Sequence, residues 1–346
     1  MPVKKPRIAL VLGDPSGIGP ELVARLLADP GTKEQADVLV IADPNELTQG
    51  MIIAGQSTAV KRMASLSVAS SHQGIALLPY HTHRQHGFER GVSNAASGAY
   101  ALATLQLALE AVTKGLADAL VFAPLNKHAL HLAGMQTADE MHWFAQQLGF
   151  TGPVSEFNVL DGLWTSRVTS HIAHKEVASQ LTQAGVERAI ELLYQAMLHS
   201  GIAKPRIAVC GLNPHNGDNG SFGREEIDTI APAVAQALAK GIPVQGPFAA
   251  DTLFLKVLGD QREFDGIVTM YHDQGQIAMK LMGFWRGVTV QGGLPIPILT
   301  PAHGTAFDIA GQGKANPGAM EQAFQMACRM ANSQRQPHIS NQENAP

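Results

Sequence analysis

Three histidines carry the most specific chemistry in this sequence. His171, His215 and His272 each lie a few residues beyond a short apolar run that predicts a buried strand. Ligands of open α/β sheets bind at the carboxyl edge of the strands, so these side chains are expected to meet there. Three neutral imidazoles would bind one divalent metal ion and leave positions free for a substrate. Their wide spacing matches no local metal motif, so three unrelated loop histidines stay the alternative.

Four charged residues could take part in the same chemistry. Lys127 follows another predicted strand and opens a helix, and Lys280 comes about two helical turns after His272. A lysine in a metal site can bind a carboxylate or phosphate, or act as an acid or base when its pKa is lowered. Asp251 and Asp273 could add carboxylates, or could cap helices. Each lysine by itself is more often a surface residue.

Two glycine-rich strings could contact an anion or a flat ring. The string 303–317 would form a loop able to close on such a group before a helix begins at Pro317. The string 13–20 lies between a predicted strand and a helix, where glycines let backbone amides approach an anion. It is not a G-x-G-x-x-G sequence, so a standard dinucleotide fingerprint is not supported. Tight surface turns are the alternative for both.

The composition excludes several classes of protein. The chain has 346 residues, 45% apolar and 16% charged, which excludes a disordered chain or a fibre and is enough for two domains. A net charge of -4 does not favour nucleic acid or an anionic membrane as a partner. Cys210 and Cys328 form no disulfide framework. No apolar run is long enough to span a bilayer, so a soluble cytoplasmic α/β protein is expected.

Predicted strands and helices alternate along the chain. The strands fall near 8–12, 38–41, 119–122, 206–210 and 266–270, with another ending at 170, and the helices near 20–27, 94–114, 186–198, 225–240 and 317–331. A kink is expected at Pro232. Residues 50–92 are expected to be an irregular surface region with one or two short strands, and residues 334–346 to be disordered. This alternation predicts an α/β fold with a mostly parallel sheet, in which any two domains are interwoven.

With these residues in view, the chain resembles the 4-hydroxythreonine-4-phosphate dehydrogenase family of vitamin B6 biosynthesis over about residues 7–332. The matching strings are 13–21, Pro124 with Lys127, 170–171, 211–215, 250–254, 270–275, 283–284 and 303–305. The string 303–317 also looks like the adenosine-binding loop of isocitrate and isopropylmalate dehydrogenases.

The resemblance implies a homodimer of subunits with two α/β/α domains, similar in plan to isocitrate and isopropylmalate dehydrogenases. The active site would lie in the interdomain cleft and be completed by the partner subunit. The first domain would comprise residues 1–125 and 281–346, and the second, with dimer contacts, residues 126–280.

The resemblance also implies roles for individual residues. His171, His215 and His272 would bind one divalent metal, and Lys280, Asp251 and Lys127 would be catalytic. NAD or NADP would bind without a Rossmann fingerprint, at His303, Gly304, Thr305, Asp308 and Asn316. The family oxidises a secondary alcohol of a hydroxy acid, and the β-keto acid then loses its carboxylate. A metal would favour the alkoxide as hydride leaves.

The positions expected to contact substrate depart from the family pattern. Glu140 and Met141 stand in place of a His-Thr pair, Thr289 in place of an Asn, and Ile298 in place of an Arg. These changes remove donors and add an anion, so we expect a substrate other than 4-phosphohydroxy-L-threonine. A non-phosphorylated hydroxy acid or a cyclic diol carboxylate would fit, as in the similar terephthalate dihydrodiol dehydrogenases.

The expected function is therefore metal-dependent, NAD(P)-linked oxidation of a CH–OH group. Imidazole ligands suit Zn, Co or Ni better than Mg, although substrate oxygens could make Mg serviceable. NAD is favoured over NADP, because Lys314 is the single candidate to meet a 2′-phosphate. The alternatives are a metal-dependent sugar-acid isomerase or lyase, and a non-catalytic binding protein on the same scaffold.

Overall fold

A computed structural model describes residues 4–66, 72–82, 87–259 and 262–335. Most of the tail that is expected to be disordered lies outside these ranges. Within them the chain forms one large mixed β-sheet with helices on its faces. This confirms the predicted α/β fold class.

Twelve strands make up this sheet within the described residues. They are β1 (Arg7–Val11), β2 (Asp37–Ala42), β3 (Lys61–Arg62), β4 (Ile75–Pro79), β5 (Ala119–Phe122), β6 (Ser155–Leu160), β7 (Leu163–Arg167), β8 (Ile207–Cys210), β9 (Val244–Phe248), β10 (Gly266–Thr269), β11 (Val288–Gly292) and β12 (Ile298–Pro301). Their order across the sheet is β3-β4-β2-β1-β5-β12-β11-β6-β7-β10-β8-β9.

The two outer parts of the sheet are parallel, as expected, and its centre is antiparallel. The pairs β12–β11, β11–β6 and β6–β7 run antiparallel. Strands β1–β5, β11 and β12 lie side by side at one end of the sheet, and β6–β10 lie side by side at the other. The division into two domains stays a prediction, because the sheet is continuous across it.

The helices connect these strands and cover both faces of the sheet. They are α1 (Gly19–Ala28), α2 (Pro30–Gln35), α3 (Pro44–Ala54), α4 (Ala95–Thr113), α5 (Lys127–Leu132), α6 (Glu140–Gln147), α7 (Val177–Gln180), α8 (Gln183–His199), α9 (Ala231–Ala239), α10 (Ala250–Leu253), α11 (His272–Gly283) and α12 (Gly318–Arg335). Helix α9 follows a π-helical segment, Glu226–Ile230, so the helical geometry changes just before Pro232, where a kink is expected.

Successive side chains of the buried strands pack in separate hydrophobic clusters on the two faces of the sheet. In β1, Ile8 and Leu10 pack in one cluster with α1 and α12, whereas Ala9 and Val11 pack in another with α4. This period of two is the expected signature of a strand that is buried on both sides. Helix α4 is long and apolar enough to span a membrane, but more than half of its apolar window is buried against the sheet and α5.

The structure corrects two local expectations. Residues 50–92 contain two short strands, β3 and β4, as expected, but the irregular part does not begin at residue 50: α3 extends to Ala54 and ends at Gly55, whose φ is +62°. The strand expected to end at residue 170 ends at Arg167. Strands β6, β9, β11 and β12 were not predicted, because polar or proline residues interrupt their apolar pattern.

Candidate active site

A cleft of about 420 Å³ lies at the antiparallel centre of the sheet, a size typical of small-molecule sites. Side chains of β6, β7 and β11 form its floor, and α5, α6 and α11 form its walls. The residues lining it are Phe122, Pro124, Leu125, Lys127, Glu140, Glu156, Asn158, Arg167, His171, His272, Gln276, Lys280, Phe284, Thr289, Thr300, Pro301, Ala302, His303 and Gly304.

Two of the three predicted metal ligands meet at this cleft. The ring centroids of His171 and His272 are 5.7 Å apart. His272 is the first residue of α11, and its Nδ1 lies 2.7 Å from Asp273 Oδ1, which leaves Nε2 for another partner. Burial, together with the positive charges of Lys127 and Arg167, lowers the pKa of His171. A lowered pKa keeps its ring neutral, which is the form that binds metal.

His215, the third predicted ligand, does not line the cleft. It is exposed, and its ring packs 6.4 Å from that of Phe222. Its backbone φ of +52° begins a run of positive φ values that continues through residue 220, so this segment is not a regular helix. Among the described residues, no group of three or more His, Cys, Asp or Glu side chains is arranged to hold a metal ion. The described part of the chain therefore does not by itself form a complete metal site.

Lys127 and Glu140 face each other across one wall. Asn126 caps α5, so Lys127 is the first residue of that helix, and Asp139 caps α6 in front of Glu140. Lys127 Nζ lies 4.0 Å from Glu140 Oε2, a contact too long for a direct hydrogen bond. Burial raises the pKa of Glu140, and its Oε2 is buried without a hydrogen-bond partner in the described part of the chain. This oxygen is free to accept a hydrogen bond from a ligand.

A polar network that the sequence did not reveal forms the floor. The guanidinium of Arg167, 6% exposed, donates to Asn158 Oδ1 at 2.9 Å, to Glu156 Oε2 at 3.0 Å and to Ser170 Oγ at 2.9 Å. Gln276 donates to the same Asn158 oxygen. The signal was present in β6, where Glu156 and Asn158 alternate with apolar residues. Polar residues at every second position of a strand indicate that one face of the strand is not packed in the core. Here that face lines the cleft.

The other predicted substrate and catalytic residues divide into two groups. Lys280 and Thr289 line the cleft, and Thr289 Oγ1 accepts a hydrogen bond from Asn158 at 3.1 Å. Asp251, exposed in the first turn of α10, and Met141 do not line it. Ile298 is fully buried in the hydrophobic cluster under α4, so in this chain it contacts core side chains and not the cleft.

The loop 303–317 begins at the rim of the cleft. His303 and Gly304 line the cleft, whereas Thr305 is buried beneath them and Asp308 is exposed. Burial lowers the pKa of His303, whose Nε2 is buried without a partner among the residues described. The Asn316 side chain accepts a hydrogen bond from Gly318 N at 2.9 Å at the start of α12. Of the five predicted cofactor residues, two therefore face the cleft directly.

Relatives named for two different dehydrogenase activities align with almost the whole chain. The model of the family "Pyridoxal phosphate biosynthetic protein PdxA" matches residues 34–327. A Pseudomonas aeruginosa protein provisionally named 4-hydroxythreonine-4-phosphate dehydrogenase 2 is 60% identical over 94% of this chain and 97% of its own length. The D-threonate 4-phosphate dehydrogenase of Salmonella typhimurium is 36% identical over 94% of this chain and 98% of its own.

Solved structures agree with these relatives. A 4-hydroxythreonine-4-phosphate dehydrogenase from Klebsiella pneumoniae superposes with a TM-score of 0.83 at 33% identity, covering 96% of this chain and all of the other. A terephthalate 1,2-cis-dihydrodiol dehydrogenase from Burkholderia xenovorans gives 0.65 at 29% identity, covering 94% and 98%. The chain is therefore more similar in shape to the former than to the latter.

Proposed function

Because the chain belongs to the PdxA family, we propose that it oxidises a secondary alcohol of an anionic hydroxy acid, using NAD or NADP and one divalent metal. The relatives are dehydrogenases that act on CH–OH groups, and this coarse activity follows from membership. One observation carries the finer proposal. The histidine pair, Lys127, Lys280 and the start of the loop 303–317 all line one cleft.

The donor set fits a metal that is shared between two subunits. Two imidazoles bound to one ion at about 2.0–2.1 Å place their ring centroids roughly 5 Å apart, close to the observed 5.7 Å of His171 and His272. Asp273 holds His272 by Nδ1, as carboxylates do behind metal-binding histidines. The exposed His215 would then be supplied by the partner subunit, which makes a homodimer part of the proposal. Zn, Co or Ni suits such a set better than Mg.

The bound metal would polarise the alcohol and stabilise negative charge on its oxygen. The chain's own residues bind and orient the substrate around it. One of Lys280 and Lys127 can hold a carboxylate through its ammonium, and the other, as a neutral amine, would take the alcohol proton. A bound nicotinamide would supply the hydride acceptor. Glu140 Oε2, buried and without a partner in the described structure, can accept a hydrogen bond from a substrate N–H or O–H. We keep Asp251 as a candidate only at the subunit interface, since it lies outside the cleft.

The nucleotide would bind at His303, Gly304, Thr305, Asp308 and Asn316. The unpartnered Nε2 of His303 at the rim supports this, because it can accept a hydrogen bond from a group bound in the cleft. NAD is favoured, since the Lys314 ammonium already donates to Gln312 Oε1 at 2.9 Å. A reducing, cytoplasmic setting belongs to the same proposal, because the two cysteines are buried and unpaired.

The charges of the cleft favour a substrate with one strongly bound anionic group. Arg167 is paired with Glu156, and Lys127 faces Glu140. Lys280 makes no ion pair with any residue that the structure describes. Ile298 is buried in the core and does not contact a substrate in the cleft, whereas Glu140 lines the cleft and disfavours a phosphate there. We therefore propose a hydroxy acid without phosphate, and the phosphorylated substrates of the relatives are the competing result.

Ligand-induced thermal stabilisation of the full-length protein tests the nucleotide and metal parts together. NAD or NADP should raise the melting temperature, and a divalent metal should raise it further. An isomerase, a lyase or a binding protein needs no nicotinamide, and the presence of His303 and Gly304 in the cleft speaks against all three. No nucleotide effect under any metal condition would favour these alternatives.

A further inference from the structure

The loop 303–317 is attached to α1 at two points. Near its start, Ile18 N donates to Thr305 O at 3.0 Å. Near its end, Ala315 N donates to Glu21 Oε1 at 2.9 Å, and Arg25 Nη2 donates to Gly313 O at 2.8 Å. Between these points, residues 306–312 form a turn with its own internal hydrogen bonds. One helix therefore sets the distance between the two ends of that turn.

Glu21 is at the centre of the second attachment. It is 1% exposed, and its Oε1 accepts three hydrogen bonds: one from Ala315 N, and two from Arg25, through Nε at 3.1 Å and Nη2 at 2.9 Å. A buried carboxylate on a helix costs free energy unless its neighbours compensate it. Core packing alone would be served better by an apolar residue. The presence of a carboxylate at Glu21 is therefore explained by its hydrogen bonds to the Ala315 amide and the Arg25 guanidinium.

The first attachment is equally tight. A Cβ on Gly17 would lie 2.8 Å from both Cβ and O of Thr305, so only glycine lets the two segments approach this closely. Thr305 directly follows His303 and Gly304, which line the cleft. A shift of α1 relative to the loop would therefore move the rim of the cleft.

We propose that Glu21 and Arg25 are positioning residues of the nicotinamide nucleotide site. They hold the far end of the loop 303–317 on α1, so that the loop keeps one shape before the nucleotide arrives. Fixing the loop in advance lowers the entropy that binding must otherwise remove. This inference rests on the proposed function, because it takes the loop as the nucleotide site. Neither residue lines the cleft, so each would act on the nucleotide by holding the loop in place.

Two substitutions test the attachment without emptying the core. Glu21→Gln keeps the shape of the side chain but replaces charge-assisted hydrogen bonds with weaker neutral ones. Arg25→Lys keeps the charge at a side chain that is 24% exposed, but a single ammonium cannot reproduce the fork that reaches both Glu21 and Gly313. Glu110→Gln is the matched control, since Glu110 makes the same kind of i,i+4 pair with Lys114 and has no contact with the loop.

The measurements are the dissociation constants of NAD, NADP and Zn²⁺ by calorimetry, and the hydrogen exchange of the Ala315 amide, all on full-length protein. Glu21→Gln and Arg25→Lys should each weaken nucleotide binding about tenfold and speed exchange at Ala315. The affinity for Zn²⁺ should not change, and Glu110→Gln should match the wild-type protein.

The possible contrary results are distinguishable. If the wild-type protein binds nucleotide and both variants bind it equally well, or if Ala315 exchanges at the wild-type rate, the positioning role is overturned and the proposed function stands. If the affinity for Zn²⁺ falls as much as that for nucleotide, the pair is a general structural element and the inference is overturned. If the wild-type protein binds neither NAD nor NADP, the proposed function fails and this inference fails with it.

Discussion

Arg167 Nη1 donates a hydrogen bond to Asn158 Oδ1 at 2.9 Å, at the floor of the cleft. The same oxygen accepts from Gln276, which lies one turn of α11 beyond His272. Arg167 in turn donates to Ser170 Oγ, beside His171. Asn158 therefore joins the two chain segments that carry the histidine pair, and it fixes the distance between them.

Asn158→Ala should weaken divalent metal binding. Without the shared acceptor, Arg167 and Gln276 lose a partner, and the two histidine segments can move apart. We expect a loss of about 10-fold to 100-fold in Zn²⁺ affinity, measured by competition with a chelator, as for other groups that orient metal ligands. Thr165→Val is the control, since Thr165 Oγ1 bonds only the Asn158 backbone carbonyl, at 3.1 Å. Equal Zn²⁺ affinities in both variants would refute the role of the Asn158 side chain.

Glu140→Gln should stabilise the protein, and increasingly so as pH rises. Burial raises the folded-state pKa of Glu140 above the usual 4.5, so folding favours its protonated form. The stability that this preference contributes is present below the unfolded pKa and is lost as pH rises through the folded pKa. Glutamine does not ionise, so the difference in melting temperature between variant and wild type should widen as the pH rises above 4.5 and level off above the folded-state pKa of Glu140. Met141→Leu adds no titrating change, and its difference should stay constant; a constant difference for Glu140→Gln would contradict the prediction.

Gly98→Ala should destabilise the fold, although alanine favours helices. A Cβ on Gly98 in α4 would lie 1.9 Å from the carbonyl oxygen of Ala129, so α5, which begins at Lys127, must move. We expect a loss of about 1–3 kcal/mol in urea unfolding, together with weaker substrate binding. Gly31→Ala is the control, because its nearest atom is the flexible Asp29 carboxylate, at 3.0 Å. Unfolding of Gly98→Ala at the wild-type urea concentration would show that the close approach of the helices has no energetic importance.

The enzyme should use 4-phosphohydroxy-L-threonine poorly. A phosphate monoester carries nearly two negative charges near neutral pH, and the cleft offers Lys280 as a cation without an ion pair among the described residues. Its kcat/KM should fall below about 10⁴ M⁻¹s⁻¹, the lower end of the ordinary enzyme range, and below that of a non-phosphorylated hydroxy acid such as 4-hydroxy-L-threonine. A higher kcat/KM for the phosphorylated compound would contradict this prediction. It would indicate that the chain acts on a phosphorylated substrate, as the names of its relatives state.

The sequence predicts the parallel parts of this fold well and its centre poorly. Apolar strands such as β1 and β10 stand out, because both of their faces are buried. Strand β6 was missed, because Glu156 and Asn158 are polar, and they are polar because they form the floor of the cleft. The polar residues that form the cleft floor therefore also interrupt the apolar pattern by which a buried strand is predicted.

Site residues were predictable where topology alone decides the position. His171 and His272 follow the parallel neighbours β7 and β10, so the edge of the sheet brings them together. His215 follows β8, the next strand, but a loop with positive φ values carries it elsewhere, and no spacing rule reveals that. Ile298 shows a second limit, since a position matched by resemblance does not tell which face of a strand its side chain occupies.

The most direct test of the central claim is nicotinamide reduction by metal-loaded enzyme, with a panel of hydroxy acids, in the wild-type protein, His272→Ala and His199→Ala. His199 is an exposed histidine at the end of α8 and serves as the matched control. We expect the wild type and His199→Ala to reduce NAD with at least one hydroxy acid, and His272→Ala to lose both bound metal and turnover. Undiminished turnover in His272→Ala, or no reduction of NAD or NADP by the wild type with any member of the panel, would contradict it.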